Sequence, residues 1–357
     1  MTLLETLKFT TSPFFVFDFN NPKIRARNLH NNFAFKKIST RLIELSHFCL
    51  TLKSKEEMTK HGFTDKEIVT AISNGIICDS ESEEYKSAEL WEKHNWTRAA
   101  YLTFSQTNLK YLEENPSEEA IPNLFETRRK VVRSQLQDTP YPDYITFCGD
   151  FIALEKPNNP KKFSADSIFR RDSIRSFERA KISLEHFSFI IHDATDEIRA
   201  LNAVRSENDP LQMFNSYYSW AVIFIAIQGV ESIGNGIYHY DPVKHGLTYV
   251  NSYHSDSDIY SCIQYQKWIH GAGFCLFLCA QWDRYYWIYR HSRAYINLLI
   301  QVGEFGQEFF QAANYYEMGG WGTPAIHESN AKKLLNLEGI SIDPLYFLKI
   351  GIPKKNA

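Results

Sequence analysis

The stretch GIYHYDP, residues 236–242, carries the most specific information about the fold of this sequence. It ends in Asp241-Pro242, a dipeptide that initiates turns. We therefore interpret the stretch as one arm of a hairpin and the start of its turn. His239 within it and His245 just after it are expected to serve this structure and not chemistry.

Apolar segments on both sides of this stretch predict further elements. Ala221–Ile227 and Cys275–Ala280 are apolar runs of strand length. Helical spacing predicts one helix over Leu184–Ile198, after a capping Ser183, and a long helix over Arg293–Tyr315.

The long helix carries small residues on one face. Gly303, Gly306, Ala312 and Ala313 share it with larger apolar residues. A glycine inside a helix costs about 1 kcal/mol relative to alanine. We expect that another backbone or a partner helix approaches this face closely.

A run of basic residues, RRDSIRSF at 170–177, precedes the first of these helices. If the run is extended, Arg171, Ser173 and Arg175 share one face, so that three donors can converge on one anion. The alternative is a basic turn in solvent. Lys354 and Lys355, near the end of the chain, are weaker candidates for a phosphate contact; a disordered terminal pair is the alternative there.

Together these segments resemble the SagB/ThcOx-type dehydrogenases of the nitroreductase-like, FMN-dependent superfamily. Residues 170–177 are similar to the RRSxRxF opening of such domains, and residues 236–247 are close to their GxYHYDPxxHxL segment. Further matches follow in the family's order: Trp91, His94 and Trp96; Tyr289, Arg293 and Tyr295 at its KYGxRxYR segment; and Gly303, Gln307, Ala312 and Ala313 at its GHxxQNxxLAA helix. The resemblance covers nearly the whole chain.

The resemblance implies an α+β fold with two domains. A nitroreductase-like flavin domain is expected at 166–357 and a winged-helix-like N-terminal domain at 1–115, joined by a connecting segment at 116–165. It also implies a homodimer in which the long helix is central and both chains contact each FMN.

The resemblance further implies the roles of individual residues. Tyr289 and Arg293 fall at the positions that it assigns to catalysis. The expected contacts to FMN are Arg170, Arg171, Ser173, Arg175, Asn215, Ser216 and Lys354.

Two segments depart from the family pattern. The stretch 213–220 carries Tyr217, Tyr218 and Trp220 where the family has small residues. The aromatic rings either stack on the flavin, or the site is remodelled or closed. The family's Lys-Tyr pair is Ile288-Tyr289 here, and isoleucine cannot act as a base. A tyrosine with a pKa near 10 then needs a neighbouring cation, for which Arg284, Arg290 and Arg293 are the candidates.

Three functions remain open at this point. The first is an FMN-dependent dehydrogenase or oxidase acting on a peptide-derived or natural-product intermediate, with azoline-to-azole oxidation as one option. The second is a degenerate homologue that binds a peptide or a partner without redox chemistry. The third is a reductase that takes electrons from NAD(P)H for a nitro or quinone compound.

The N-terminal part alternates short strands and short helices. Phe14–Phe17 predicts a strand and Thr40–Leu52 a helix. Thr64 and Glu67 form a capping box, and the helix that they open is expected to end near Asn74-Gly75. A strand over Ile76–Cys78 and a loop over 79–86 complete the winged-helix-like interpretation, with a strand hairpin at the wing.

The composition and the sequence pattern argue against several classes of function. The 357 residues have a net charge of −3 and no long basic block, which disfavours nucleic-acid binding. The longest apolar run, Trp220–Val230, is too short for a membrane span, and the N-terminus lacks the zones of a signal peptide. A cytoplasmic protein is therefore expected. The six scattered cysteines predict neither a disulfide framework nor a metal site, and Cys275 and Cys279 are expected to be buried.

Overall fold

The computed structural model describes most of the chain, in segments. They are residues 7–13, 15–18, 25–28, 33–35, 38–93, 100, 103, 130–131, 133–157, 172–205, 218–266, 270–290, 292–337, 339 and 341–354. The chain divides into two compact units, residues 1–113 and 114–357. Among the described residues, no helix combines the length and the apolar character that a membrane crossing requires.

The first unit contains two small antiparallel sheets and four helices among its described residues. Its elements are β1 (Lys8–Thr11), β2 (Phe15–Asp18), β3 (Arg25–Asn28), β4 (Phe33–Phe35), α1 (Thr40–Phe48), β5 (Lys53–Ser54), α2 (Lys55–Lys60), α3 (Asp65–Ser73), β6 (Ile77–Asp79) and α4 (Glu83–Lys93). One sheet has the order β5-β1-β6 and the other β2-β3-β4.

Side-chain caps define the helix starts in this unit. At the start of α3, Thr64 and Glu67 form the predicted capping box, and Gly75 has the positive φ of +65° that ends the helix. A second capping box, Ser54 with Glu57, opens α2. These helices and β1 bury one apolar core, which includes Phe9, Leu45, Met58, Ile68 and Ile76.

The strand pairing after α3 differs from the expectation. Residues 77–79 form the predicted strand, but β6 pairs with β1 from the start of the chain and not with a strand that follows it. A helix, α4, begins at Glu83, within the segment that was expected to be a loop. The mixture of helix and sheet is therefore clear, while the winged-helix-like description remains a prediction.

The second unit is built on one seven-stranded antiparallel sheet. Its elements are β7 (Phe151–Ala153), α5 (Leu184–Ala194), α6 (Asp196–Arg205), β8 (Ala221–Ile227), β9 (Gly236–Asp241), β10 (Gly246–Asn251), α7 (Asp256–Ser261), β11 (Phe274–Gln281), α8 (Trp282–Ile288), α9 (Arg293–Tyr315), β12 (Gly319–Thr323), α10 (Glu328–Leu334) and β13 (Ile342–Gly351). The strand order is β12-β13-β11-β8-β9-β10-β7. The edge strand β7 comes from the segment that was predicted to connect the two domains.

The central strands are buried on both faces of the sheet. In β8 the alternate residues Ile223 and Ile225 join one core, which also contains α5 and α9, while Phe224 joins a second core on the opposite face. Cys275 and Cys279 of β11 belong to this second core and are fully buried, as predicted. Burial on both faces explains why these strands are apolar throughout their length and do not alternate with polar residues.

The hairpin predicted from GIYHYDP is formed by β9 and β10. The carboxylate of Asp241 accepts hydrogen bonds from the amides of Val243 (2.9 Å) and Lys244 (3.0 Å), which fixes the turn. His245 is fully buried, and its Nδ1 lies 2.7 Å from the Tyr240 hydroxyl. Its Nε2 lies 2.9 Å from the Ser188 hydroxyl, so this histidine connects the hairpin to α5.

Two of the predicted helices differ in their bounds or their packing. The helix predicted over Leu184–Ile198 stops at Ala194, because Thr195 turns its hydroxyl back to the carbonyl of Ile191 and α6 begins afresh. The long helix has the predicted bounds. A Cβ at Gly306 would lie 2.6 Å from the ring of Tyr346 in β13, so a close approach does require this glycine. A Cβ at Gly303 would meet no atom within 4 Å among the described residues.

Candidate functional site

The candidate site begins with residues 172–178, which run past the ends of β12 and β13. The amide of Ile174 donates to the carbonyl of Gly320 (3.0 Å). Four residues further on, the amide of Glu178 donates to the carbonyl of Ile352 (2.8 Å), and the amide of Lys354 donates to the carbonyl of Ser176 (3.0 Å). The segment is thus bonded through its backbone to β12 and to the residues that follow β13.

This pairing brings three of the predicted flavin contacts into one region. Ser173 and Arg175 are exposed, while Ile174 between them is partly buried, so the two polar side chains share the outer face of the segment. Lys354 is exposed as well, and its backbone is bonded directly to residue 176. A hydroxyl, a guanidinium and an ammonium group in one exposed region make a donor set that suits a phosphate.

Glycines allow the segment to approach the sheet. Ser173 forms a bridge with Gly320, and a Cβ at the neighbouring Gly319 would lie 2.8 Å from the side chain of Ile174. On the other side, Gly271 has φ +127°, and a Cβ there would lie 2.6 Å from the carbonyl oxygen of Phe177. Larger residues at these positions would displace the segment.

A buried lysine lies beneath this region and was not predicted from the sequence. Lys349 of β13 is fully buried, and its Nζ donates to Gln228 Oε1 (2.5 Å) and to the carbonyl of Gly271 (3.1 Å). Nζ is 5.9 Å from the centre of the Phe177 ring. Burial lowers the pKa of Lys349, against the opposing effects of Cys275 and Asp256. The only signal in the sequence is a charged residue inside an apolar strand.

The predicted catalytic pair lies elsewhere in the chain. Tyr289 is the residue that follows α8, is partly buried, and has its ring centre 4.8 Å from that of Tyr285. Arg293 is the first residue of α9. Toward the far end of that helix, Phe310 packs closely against Gly320 of β12. A Cβ built on Gly320 would lie only 2.5 Å from the ring of Phe310. The 17 steps from Arg293 to Phe310 span about 25 Å at the helical rise of ~1.5 Å per residue.

One chain therefore does not bring Tyr289 and Arg293 together with Ser173, Arg175 and Lys354. The two predicted sets lie toward opposite ends of α9.

The cations that were candidates for lowering the pKa of Tyr289 have other contacts. Arg284 is buried, donates from Nε to the carbonyl of Ser219 (2.8 Å) and from Nη1 to the carbonyl of Pro142 (2.8 Å), and lies over the ring of Tyr141 at 4.6 Å. Arg290 Nε donates to the carbonyl of Trp287 at 3.4 Å. Arg284 is thus held by the backbone around it, and Arg293 is the candidate that remains.

The bulky stretch before β8 is described only from residue 218 onward. Tyr218 is buried against Phe305 of α9, with ring centres 4.5 Å apart. Trp220 is fully buried, and its indole nitrogen donates to Gln301 Oε1 (2.9 Å). These two rings fill the core beside α9 and are not available to stack on a flavin. Arg170, Arg171, Asn215 and Ser216 lie outside the described residues.

Comparison with known proteins gives a relative over most of the chain. The trifolitoxin operon protein TfxC of Rhizobium leguminosarum bv. trifolii is 25% identical over 305 residues, which cover 80% of this chain and 80% of that protein. No family model matches the sequence.

Solved structures that are similar to this chain include nitroreductases. A putative nitroreductase from Anabaena variabilis is 15% identical with a TM-score of 0.42, and the match covers 53% of this chain but only 38% of that one. The E. coli microcin synthetase McbBCD complex with truncated pro-MccB17 bound is 18% identical with a TM-score of 0.43, over 68% of this chain and 95% of that one. Nitroreductases and a microcin synthetase complex are thus among the solved structures to which this chain is similar.

Proposed function

We propose that this protein is an FMN-dependent oxidoreductase that acts on a peptide-derived intermediate in the biosynthesis of a natural product. The observation that carries the proposal is the convergence of Ser173, Arg175 and Lys354 on one exposed region at the ends of β12 and β13. Similarity to a protein of the trifolitoxin operon supports the biosynthetic context. Oxidation of an azoline to an azole is one reaction of this class.

The residues of this region fit a flavin mononucleotide. Ser173, Arg175 and Lys354, with Arg170 and Arg171 just before them in the sequence, would hold the phosphate and the ribityl chain. Asn215 and Ser216 would donate to the ring or the ribityl chain. When bound, FMN supplies the hydride acceptor that oxidation of a C–N or C–C bond requires.

Tyr289 is the group that we propose to accept the proton from the substrate. Ile288 beside it is apolar and buried, so it cannot share that task. Arg293, four residues further on at the start of α9, would stabilise the phenolate and thereby lower the pKa of Tyr289.

A complete site then requires two copies of the chain. Because the two sets of residues lie toward opposite ends of α9, the site is best completed when Tyr289 and Arg293 of one protomer face Ser173 and Arg175 of its partner. The exposed face of α9 suits such a dimer, since Tyr295, Leu299 and Ile300 are 39–52% exposed and the space beside Gly303 is open among the described residues.

The proposal is tested by the absorption spectrum of the purified protein. We expect a yellow protein that retains FMN, and an Arg175→Met variant that loses most of it, because the guanidinium contact to the phosphate is removed. Arg179→Met is the matched control, since Arg179 is also exposed but lies beyond the buried Phe177. A colourless wild-type protein that does not bind added FMN would contradict the redox function.

A second function is favoured by two observations and would explain that outcome. Tyr218 and Trp220 are buried where the family has small residues, and Ile288 replaces the family's lysine. A protein of this kind would bind a peptide or a partner without redox chemistry. In the FMN enzyme, by contrast, the N-terminal winged-helix-like domain would hold a leader peptide or brace the catalytic domain. A yellow protein that steadily consumes NAD(P)H with a quinone would instead indicate a reductase.

A further inference from the structure

The segment that carries Ser173 and Arg175 is held between two parts of the chain. On one side the amide of Glu178 donates to the carbonyl of Ile352 (2.8 Å). On the other side the amide of Phe177 donates to the carbonyl of His270 (3.3 Å), and the amide of Ala272 donates to the carbonyl of Glu178 (2.8 Å). The position of the segment therefore depends on how the loop 270–272 is held relative to β13.

Lys349 connects these two parts. It belongs to β13, where it pairs with Cys275 of β11 and Trp321 of β12, and its Nζ donates to the carbonyl of Gly271 in the loop (3.1 Å). Gly271 has φ +127° and lies against Phe177. The side chain of Lys349 thus connects the loop 270–272 to β13, at the place where the loop contacts Phe177.

The surroundings of Lys349 orient its ammonium group. Gln228 Oε1 accepts from Lys349 Nζ (2.5 Å) and also from Cys275 Sγ (3.1 Å). The other end of this amide, Gln228 Nε2, donates to Asp256 Oδ1 (2.5 Å), so the orientation of the amide is fixed. Asp256 is connected to Lys349 through Gln228, and a buried charge with hydrogen-bonded partners of this kind is costly to keep.

We propose that Lys349 is a positioning residue, which holds the loop 270–272 against β13 so that Ser173 and Arg175 are fixed in the geometry that binds the flavin phosphate. A measurement on the loop itself, and not overall stability, separates this role from a purely structural one, because removing Nζ leaves both of its acceptors without their donor. The expected effect on flavin binding rests on the proposed function. The contact by which Lys349 holds the loop 270–272 against β13 does not depend on it.

The test uses the full-length protein with Lys349→Met, since methionine keeps the unbranched shape without the charge. Equilibrium binding of FMN to the apoprotein is measured by quenching of flavin fluorescence. We expect the dissociation constant to rise by about tenfold or more, which corresponds to about 1.4 kcal/mol, and the melting temperature of the apoprotein to fall, because Gln228 Oε1 and the carbonyl of Gly271 lose their donor. Lys333→Met on α10 is the control, and it should change neither quantity.

Hydrogen exchange gives a measurement that does not depend on flavin. In Lys349→Met the amides of Glu178 and Lys354 should exchange about tenfold faster, whereas amides in the middle of α9 should be unchanged. Unchanged exchange at both amides would overturn the positioning role, whether or not the protein binds FMN. If exchange at both amides is faster in Lys349→Met but the wild-type protein does not bind FMN, the positioning role is supported and the proposed function is rejected.

Gln228→Leu keeps the test decisive if Lys349→Met does not fold. This variant removes one of the two acceptors of Nζ and leaves the bond to Gly271 in place. A smaller increase of exchange at Glu178 and Lys354 is expected. No increase in a folded Gln228→Leu protein would contradict the inference.

Discussion

At the scale of single residues, His239 is a buried histidine, which the sequence predicts to serve structure and not chemistry. It lies in β9 among Phe147, Phe224 and Tyr144, and its Nε2 has no hydrogen-bond partner among the described residues. Burial lowers the pKa of His239 to about 4, which the carboxylate of Asp241 only partly opposes. His245 on the paired strand also has a pKa of about 4, again mainly because of burial.

These two histidines predict how stability depends on pH. Their folded-state pKa lies below the value of 6.5 for an unfolded histidine. Between pH 6.5 and 4 the unfolded chain binds a proton at each histidine that the folded chain does not bind. The contribution of these histidines to the free energy of unfolding is therefore fully present above pH 6.5 and is lost as the pH decreases toward 4. Each histidine contributes a slope of about 1.4 kcal/mol per pH unit within this window.

His239→Phe should remove one histidine's share of this slope. The free energy of unfolding at pH 8 is expected to stay the same or rise, because an unpaired buried nitrogen is replaced by an aromatic ring. Urea denaturation of the wild-type protein and of His239→Phe at several pH values measures both effects. The difference between their free energies of unfolding at pH 8 serves as the baseline. A loss of about 2 kcal/mol or more at pH 8 would indicate that Nε2 does have a partner.

At the scale of elements, one irregular segment depends on the side chains of a short helix. Residues 139–145 lie outside the helices and strands, and their backbone groups are satisfied from α8 and the residue before it. Trp287 Nε1 donates to the carbonyl of Thr139 (3.1 Å), and Gln281 Nε2 donates to the carbonyl of Asp143 (2.9 Å). Arg284 Nη1 donates to the carbonyl of Pro142 (2.8 Å).

Arg284→Met is therefore expected to release this segment. The substitution leaves the carbonyls of Ser219 and Pro142 without their donor and removes the contact to Tyr141, at a cost of about 2–4 kcal/mol. Faster amide exchange at Ile145 and faster chymotrypsin cleavage at Tyr141 would measure the release. Arg290→Met is the control, because Arg290 is exposed and, among the described residues, has a long hydrogen bond of 3.4 Å and a distant contact of 5.9 Å to the Trp287 ring. Equal effects of the two substitutions would contradict this account.

The sequence predicts elements well where the local pattern and the tertiary packing agree. The bounds of β8 and α9 follow from long apolar and periodic runs, and the turn at Asp241 follows from its own dipeptide. The end of α5 at Thr195 depends on a hydroxyl that bonds back to the preceding turn, and the partner of β6 is a strand far away in sequence. Lys349 could not be predicted to contact Gly271 for the same reason, since only the sheet brings the two together.

At the scale of the whole molecule, the sequence places flavin-binding and catalytic residues in one family pattern. It does not tell whether one site takes both sets of residues from the same chain or from two chains. Ser173 and Arg175 come before α9 in sequence, and Tyr289 and Arg293 come directly before and at its start. Only the fold reveals that the first pair lies near Gly320, beside Phe310 and thus toward the far end of the helix. The separation of about 25 Å along α9 is the physical reason to propose a shared site.

The dimer proposal predicts that a charge on the exposed face of α9 abolishes both assembly and flavin binding. Ile300→Glu would place a carboxylate in an apolar interface, which costs several kcal/mol unless the chains separate. Val243→Glu is a matched control, because Val243 at the β9–β10 turn is 51% exposed and Ile300 is 52% exposed. Sedimentation velocity, recorded by flavin absorbance and by protein absorbance, should show a dimer with FMN for Val243→Glu. For Ile300→Glu it should show a colourless monomer. A flavin-loaded monomer of the wild-type chain would contradict the shared site, because the proposal takes Tyr289 and Arg175 of each site from different chains.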